Sequence, residues 1–405
     1  MLDGKAIGII TSGGDCGGLN AVIKGAASMA LAYGIKPYVI LNGYAGLYNL
    51  VESDNLLELN NNRLDKISSL KAGSQAGNTR VKISKIDDKD KYNRISQGLK
   101  KHNIGALVIS GGDDTGSVVV DLDKNGISCV HVPKTMDLDL HSYSVGGDSA
   151  VNRIAQYVEE LKTTGDSHNR IMAIEVFGRY AGHTAFRGGI AADADCILIP
   201  EVPIDFDIIY EDLKKNFMRR IESSEYKSGT YTIVAAEGIT DDTGENITDS
   251  SVNIDAFGHK KLSGVGKYIR QQLTDRIEGD KSFKQFMADQ GLFVEKMNEV
   301  PAVREMVLTY LVRSGSTSAL DANFGNETGA GAVILLNSDV SGVTVTGVER
   351  GKVQYIPTST AIKQRHVSQE MVAFHEKTGV CFGRKPVEYK PETEKLEKAR
   401  WSYFE

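Results

Sequence analysis

Ala106-Leu107-Val108-Ile109-Ser110-Gly111-Gly112-Asp113-Asp114-Thr115 is the stretch from which the fold can be read. Its first five residues form the short apolar run of a buried strand. The two glycines end that run, and their missing side chains let backbone N–H groups come close to an anionic oxygen. A second apolar run, Cys129-Val130-His131-Val132, delivers Pro133-Lys134-Thr135-Met136-Asp137-Leu138-Asp139. Ligands of open parallel sheets bind outside the carboxyl ends of the strands, so two acidic loops placed there converge on one crevice. Asp113, Asp137 and Asp139 offer oxygens for a hard cation or a general base.

Working outward, the same order of strand, loop, helix and strand begins at Ile7-Gly8-Ile9-Ile10, with a helical stretch over 19–33 and the next strand at Val39-Ile40-Leu41. It recurs at 171–176, 196–199 and 231–236. This alternation predicts a doubly wound α/β architecture. Ile154, Ala155, Val158 and Leu161 have helical spacing, so 151–163 reads as a helix leading into a second α/β unit. A further helix is expected over 264–276, and late strands or a hairpin over 332–336 and 341–348. Asp241 to Asn246 reads as a surface turn. The charge-dense end from Pro386, with Trp401 and Phe404, is equally compatible with a docked helix and a frayed tail.

A length of 405 residues suggests two domains, given about 150 residues per domain. Hydrophobic and charged fractions of 41% and 25% are those of an ordinary globular chain. No apolar run reaches about 18 residues, and Met1-Leu2-Asp3-Gly4-Lys5 passes straight into Ala6 to Ile10 without a signal-peptide pattern. A cytoplasmic protein without a membrane partner is expected. The net charge of −6 argues against a general nucleic-acid footprint, so local arginines must account for any anion binding. Cys16, Cys129, Cys196 and Cys381 lie far apart without zinc-site spacing and read as free thiols, Cys129 and Cys196 as small buried hydrophobes.

Two more loops carry chemistry. Thr11-Ser12-Gly13-Gly14-Asp15-Cys16-Gly17-Gly18, between strand and helix, can present backbone amides to a phosphate, though it has neither GxGxxG nor a P-loop ending. Gly73-Ser74-Gln75-Ala76-Gly77-Asn78-Thr79-Arg80 adds small residues and a cation suited to a moving phosphoryl group.

Taken together, Gly13-Gly14-Asp15, Gly111-Gly112-Asp113-Asp114, Pro133-Lys134-Thr135-x-Asp137-x-Asp139, Phe177-Gly178-Arg179 and Tyr310-x-x-Arg313 resemble the phosphofructokinase superfamily in order and spacing over nearly the whole chain. The Asp114 and Lys134 pair, with Tyr310, is similar to the pyrophosphate-dependent branch. The resemblance implies two Rossmann-like domains with the active site in the cleft between them. The larger, donor-side domain would take 1–148 and 313–362, the smaller, sugar-side domain 149–312 and 363–405. It implies reversible transfer of a phosphoryl group from pyrophosphate to the 1-hydroxyl of fructose 6-phosphate. Asp137 would be the base, with Thr135 and Arg179 stabilising the moving group. Gly13, Gly14, Arg80, Gly112, Asp114 and Lys134 would bind the donor, with the Asp114 carboxylate repelling a nucleotide. Asp113 and Asp139 would hold Mg²⁺. Arg170, Phe177, Gly178, Glu237, Arg304, Tyr310 and Arg313 would bind the sugar phosphate. Arg170 and Arg304 would act across a subunit boundary, which implies a homo-oligomer, a dimer or a tetramer.

Departures accompany the match. Leu138 stands where the family usually has asparagine, Gly17 replaces proline, Phe177 replaces methionine, and Val312-Arg313-Ser314-Gly315 replaces Gln-Arg-Gly-Gly. Lys24 and Ser28 occupy positions where allosteric relatives carry effector-binding arginines, so little effector control is expected. His168 and His183 read as structural. The rival readings are an ATP-dependent enzyme, one acting on sedoheptulose 7-phosphate, and a non-catalytic sugar-phosphate sensor.

Overall fold

The computed structural model describes residues 2, 4–241, 243–248 and 262–397. Among these, the strands in chain order are β1 (Ala6–Thr11), β2 (Pro37–Ile40), β3 (Leu56–Glu58), β4 (Ile104–Gly111), β5 (Cys129–Pro133), β6 (Ile171–Val176), β7 (Cys196–Leu198), β8 (Tyr231–Ala236), β9 (Val303–Val307), β10 (Val343–Glu349) and β11 (Lys352–Pro357). The chain divides into two compact units. Of the described residues, the first takes those within 2–153 and 309–365, the second those within 154–248, 262–308 and 366–397.

The first unit is built on a seven-stranded sheet in the order β11-β10-β5-β4-β1-β2-β3. Its five central strands pair in parallel, while β3 and β11 close the edges antiparallel. Alternate residues of each strand face opposite sides, as the two-residue period of a strand requires. Ile7, Ile9, Ala106 and Val108 enter a core with helices Leu19–Ala32 and Ala319–Asn337. Ile10, Leu107 and Ile109 enter a second core with Val118, Val119 and Leu122 of helix Asp113–Lys124. Helices on both faces leave the carboxyl ends of the parallel strands for ligand binding.

Ala332–Leu336, expected as a late strand, is the last part of helix Ala319–Asn337. An unbroken apolar run has no period to separate a buried strand from a buried helix. The deciding features lie upstream: Ser318 caps the helix by accepting the Asp321 N–H, and the small Gly329 lets two helices touch. A Cβ on Gly329 would stand 2.3 Å from the Val22 carbonyl oxygen. The 341–348 expectation holds as β10, which forms a hairpin with β11.

The second unit has a four-stranded, all-parallel sheet in the order β7-β8-β6-β9. Ile171, Ala173, Ile233 and Ala235 pack on helices Phe206–Ser223 and Val265–Gly279. The expected helix at 151–163 lies inside helix Gly147–His168. Cys129 and Cys196 are buried free thiols. Residues 386–397 contain no helix or strand, while Asp242, Trp401 and Phe404 lie outside the described residues. Among the described residues, no helix is long and apolar enough to cross a membrane.

Candidate active site

In the first unit, three loops meet at the carboxyl ends of β1, β4 and β5. The Ser12 N–H donates to the Ser110 carbonyl at 2.9 Å, Gly13 N–H to Thr79 at 3.1 Å, and Lys134 N–H to Gly111 at 2.9 Å. These bonds bring Gly13, Gly14, Arg80, Gly112 and Lys134 together. Gly13 has φ of 83°, a conformation that glycine adopts without strain. A Cβ on Gly13 would stand 3.6 Å from Lys134 Nζ. One on Gly14 would stand 3.0 Å from Arg313 Nη1 and 3.8 Å from Arg80 Nη2. Three cations therefore surround two residues without side chains, a cradle suited to phosphate oxygens.

Lys134 is 4% exposed, and its ammonium donates to the Gly14 carbonyl. It makes no ion pair with a carboxylate among the described residues. Burial pushes its pKa down, while Cys16, Asp137 and Asp15 act against that shift. Arg313 pairs with Asp15 at 3.5 Å and stacks over the Tyr310 ring at 4.6 Å. Arg313 and Tyr310, expected on the sugar-phosphate side, thus lie against the glycine loop of the first unit.

The acidic residues have different surroundings. Asp113 and Asp114 occupy the first turn of helix Asp113–Lys124, where the helix dipole favours negative charge. Asp114 Oδ1 is 2.8 Å from Lys82 Nζ. Thr135 Oγ1 donates to Asp137 Oδ2 at 3.2 Å and accepts the Asp137 N–H at 3.1 Å, which fixes that carboxylate in the loop. Leu138, at φ of 56°, donates no side-chain polarity; its carbonyl accepts from Arg365 Nε at 3.0 Å, and the Asp139 carbonyl accepts the Arg365 N–H at 2.8 Å. Among the described residues no group of three His, Cys, Asp or Glu side chains is gathered to hold a metal. Asp113 and Asp139 follow the adjacent strands β4 and β5. Two such carboxylates suit a magnesium ion that takes its other oxygens from water and a substrate phosphate.

In the second unit, Phe177, Gly178 and Arg179 follow β6, and Glu237 follows β8. Glu237 is buried, and its Oε1 accepts the Arg179 N–H at 2.9 Å and the Gly178 N–H at 3.4 Å. The Thr184 hydroxyl donates to the Phe177 carbonyl. Arg179 has φ of 52°, and a Cβ on Gly238 would stand 1.8 Å from its carbonyl oxygen. Arg170 and Arg304 do not join this loop. Arg170 precedes β6, and Arg304 is paired in register with Met172 near the start of the same strand, about 13 Å of strand from its end.

Sequence reading passed over four residues near these sites. Lys82 sits in a mixed stretch that reads as an exposed face. His131 lies hidden in an apolar run; its Nε2 donates to the Gly111 carbonyl at 2.9 Å and its Nδ1 is 3.0 Å from Thr344 Oγ1. Burial holds its pKa down at about 4. Glu175, buried in β6, accepts the Gly266 N–H at 2.9 Å; burial raises its pKa against that hydrogen bond. Asp321, fully buried, accepts from Tyr143 at 2.7 Å and from the Ser149 hydroxyl at 2.6 Å. An acidic residue three positions after Ser318 was the one available signal for Asp321.

A family model described as Phosphofructokinase matches residues 6–336. The chain is 30% identical over 383 residues to a pyrophosphate–fructose 6-phosphate 1-phosphotransferase from Dictyoglomus thermophilum, covering 93% of this chain and 99% of the relative. It is 32% identical over 391 residues to ATP-dependent 6-phosphofructokinase 2 from Clostridium perfringens, covering 93% of this chain and 98% of that one. The crystal structure of a pyrophosphate-dependent phosphofructokinase from Marinobacter aquaeolei superposes with a TM-score of 0.68 at 21% identity, over 97% of this chain and 100% of that chain. At that identity it speaks for the fold.

Proposed function

The chain belongs to the phosphofructokinase family, and from that premise we propose that it transfers a phosphoryl group from pyrophosphate to the 1-hydroxyl of fructose 6-phosphate. The observation that carries the donor reading is Lys134. A buried ammonium costs several kcal/mol unless an anion meets it, on the order of the penalty for any isolated buried charge. A phosphate oxygen on the Gly13–Gly14 cradle supplies that counter-charge.

In this reading Asp137 accepts the proton of the 1-hydroxyl as that oxygen forms its bond to the transferred phosphorus. The bridging P–O bond of pyrophosphate breaks, and inorganic phosphate leaves. Thr135 keeps Asp137 aimed, while Arg80, Lys134 and Arg313 balance charge on the donor, in keeping with a transfer governed by positioning and electrostatics. Arg179 acts on the transferred group. Asp113 and Asp139 hold Mg²⁺, which when bound neutralises phosphate charge. Glu237, Phe177 and Gly178 hold the sugar. Arg170 and Arg304, remote from that loop in their own unit, serve the 6-phosphate bound to a neighbouring subunit.

ATP as donor is the second reading, favoured by the Clostridium perfringens relative named for it. The reverse reaction separates the two. With fructose 1,6-bisphosphate, inorganic phosphate and Mg²⁺, pyrophosphate is expected to accumulate in phosphorus NMR spectra. No pyrophosphate, with fructose 6-phosphate formed only when ADP is added, would favour the second reading.

A further inference from the structure

The Asp114 carboxylate is not a bare negative charge at the edge of the donor cradle. Lys82 Nζ lies 2.8 Å from its Oδ1, with side-chain exposures of 25% and 17%. A pair this shielded is screened less by salt than a surface pair and keeps more of its Coulomb energy. Its geometry is imposed from below. Ile83, the next residue, is fully buried in the core that also receives Val118 and Val119 of the helix opened by Asp113, and Val81 packs against the same core. Lys82 is therefore anchored on both sides by neighbours held under that helix. It also sits two residues after Arg80, whose guanidinium borders Gly14. Thr115, next to Asp114, has its Oγ1 3.8 Å from the place of a Cβ on Gly13. The ion pair thus stands at the rim of the cradle.

We propose that Lys82 is a specificity-determining residue for the phosphoryl donor and acts through Asp114. The inference rests on the pyrophosphate reading. Asp114 alone would repel every polyanion, pyrophosphate included. Paired with Lys82, the carboxylate is screened and fixed, so the site tolerates the two phosphates of pyrophosphate while the bulk of the pair occupies the place a longer donor needs. Exclusion of the nucleotide then comes from occupied space, and tolerance of pyrophosphate from charge balance.

A double-mutant cycle in the full-length protein tests this, with kcat and KM measured for pyrophosphate and for ATP. Lys82→Met is expected to raise KM for pyrophosphate about tenfold with kcat changed less than about twofold, more strongly at low ionic strength. Lys82→Arg should restore most of the loss. Asp114→Gly is expected to admit ATP. Adding Lys82→Met to Asp114→Gly should move the lysine's effect from one donor to the other: no further loss with pyrophosphate, and about tenfold lower kcat/KM with ATP, because the ammonium now meets the nucleotide's inner phosphate. Equal effects of Lys82→Met in both backgrounds would overturn the proposal while leaving the donor reading intact. Wild-type protein that uses ATP and refuses pyrophosphate would overturn the donor reading, and the proposal with it.

Discussion

The side chain of Leu138 fills the place where Gly147 would carry a Cβ, its Cδ2 2.1 Å from that point. Leu138 sits between Asp137 and Asp139 with φ of 56°, a left-handed conformation that costs a residue with a Cβ about 1–2 kcal/mol. Its side chain is 2% exposed, and burying a leucine contributes about 1.5–3 kcal/mol, enough to offset the strain. The acidic loop is thus held in a conformation asparagine tolerates more easily, by packing in place of polarity.

That contact makes the two positions interdependent. Gly147→Ala is expected to destabilise the protein by about 1–3 kcal/mol, as overpacking does. Adding Leu138→Ala should cost less than the sum of the two single changes by about 1 kcal/mol, because each relieves the other. Urea denaturation of the four proteins measures the coupling, and strict additivity would contradict the contact.

Gly238 protects the loop proposed to hold the sugar. With the Arg179 carbonyl oxygen 1.8 Å from the place of a Cβ, Gly238→Ala must displace the loop that Glu237 holds. Steady-state kinetics should show KM for fructose 6-phosphate raised about tenfold or more, with kcat reduced as well. A variant with unchanged constants would separate this loop from the sugar site.

Much of the loop cluster in the first unit was legible in the sequence, and the reasons are physical. Gly13, Gly14, Gly111 and Gly112 stand immediately after apolar runs, where a parallel sheet presents its binding edge, and Lys134, Asp137 and Asp139 follow the next strand. Arg313 was singled out from its motif, yet its position against Asp15 depends on a contact across nearly 300 residues, which no local pattern encodes. Lys82 was invisible because a lysine between Val81 and Ile83 looks like any exposed residue of an amphipathic segment. His131 was lost inside a strand whose apolar neighbours disguise a buried imidazole, and Ala332–Leu336 was misread because an unbroken apolar run carries no period.

His131 gives the fold an acid limit. Its pKa falls from the ordinary 6.5 to about 4 because burial disfavours the imidazolium. Above pH 6.5 it is neutral whether the chain is folded or not. Between 6.5 and about 4 the unfolded chain binds a proton that the folded one refuses, so stability falls as pH falls, by about 3 kcal/mol in total. Chemical denaturation of His131→Gln across this window should show a shallower loss than the wild type. An unchanged slope would mean that other groups carry the acid sensitivity.

Asp137→Ser should remove the proton acceptor and leave the folded loop. Turnover is expected to fall by about 10²–10⁴, the usual contribution of a general base, while calorimetry still detects fructose 6-phosphate binding. Near-normal turnover would reject Asp137 as the base.

Donor choice is measured most directly by formation of fructose 1,6-bisphosphate from fructose 6-phosphate and Mg²⁺ by the purified protein, with equal concentrations of pyrophosphate or ATP in separate reactions. Turnover is expected with pyrophosphate, and little or none with ATP. Turnover with ATP alone would contradict the pyrophosphate reading, leaving the fold and the acceptor site in place but assigning Lys134 and Asp114 some other part.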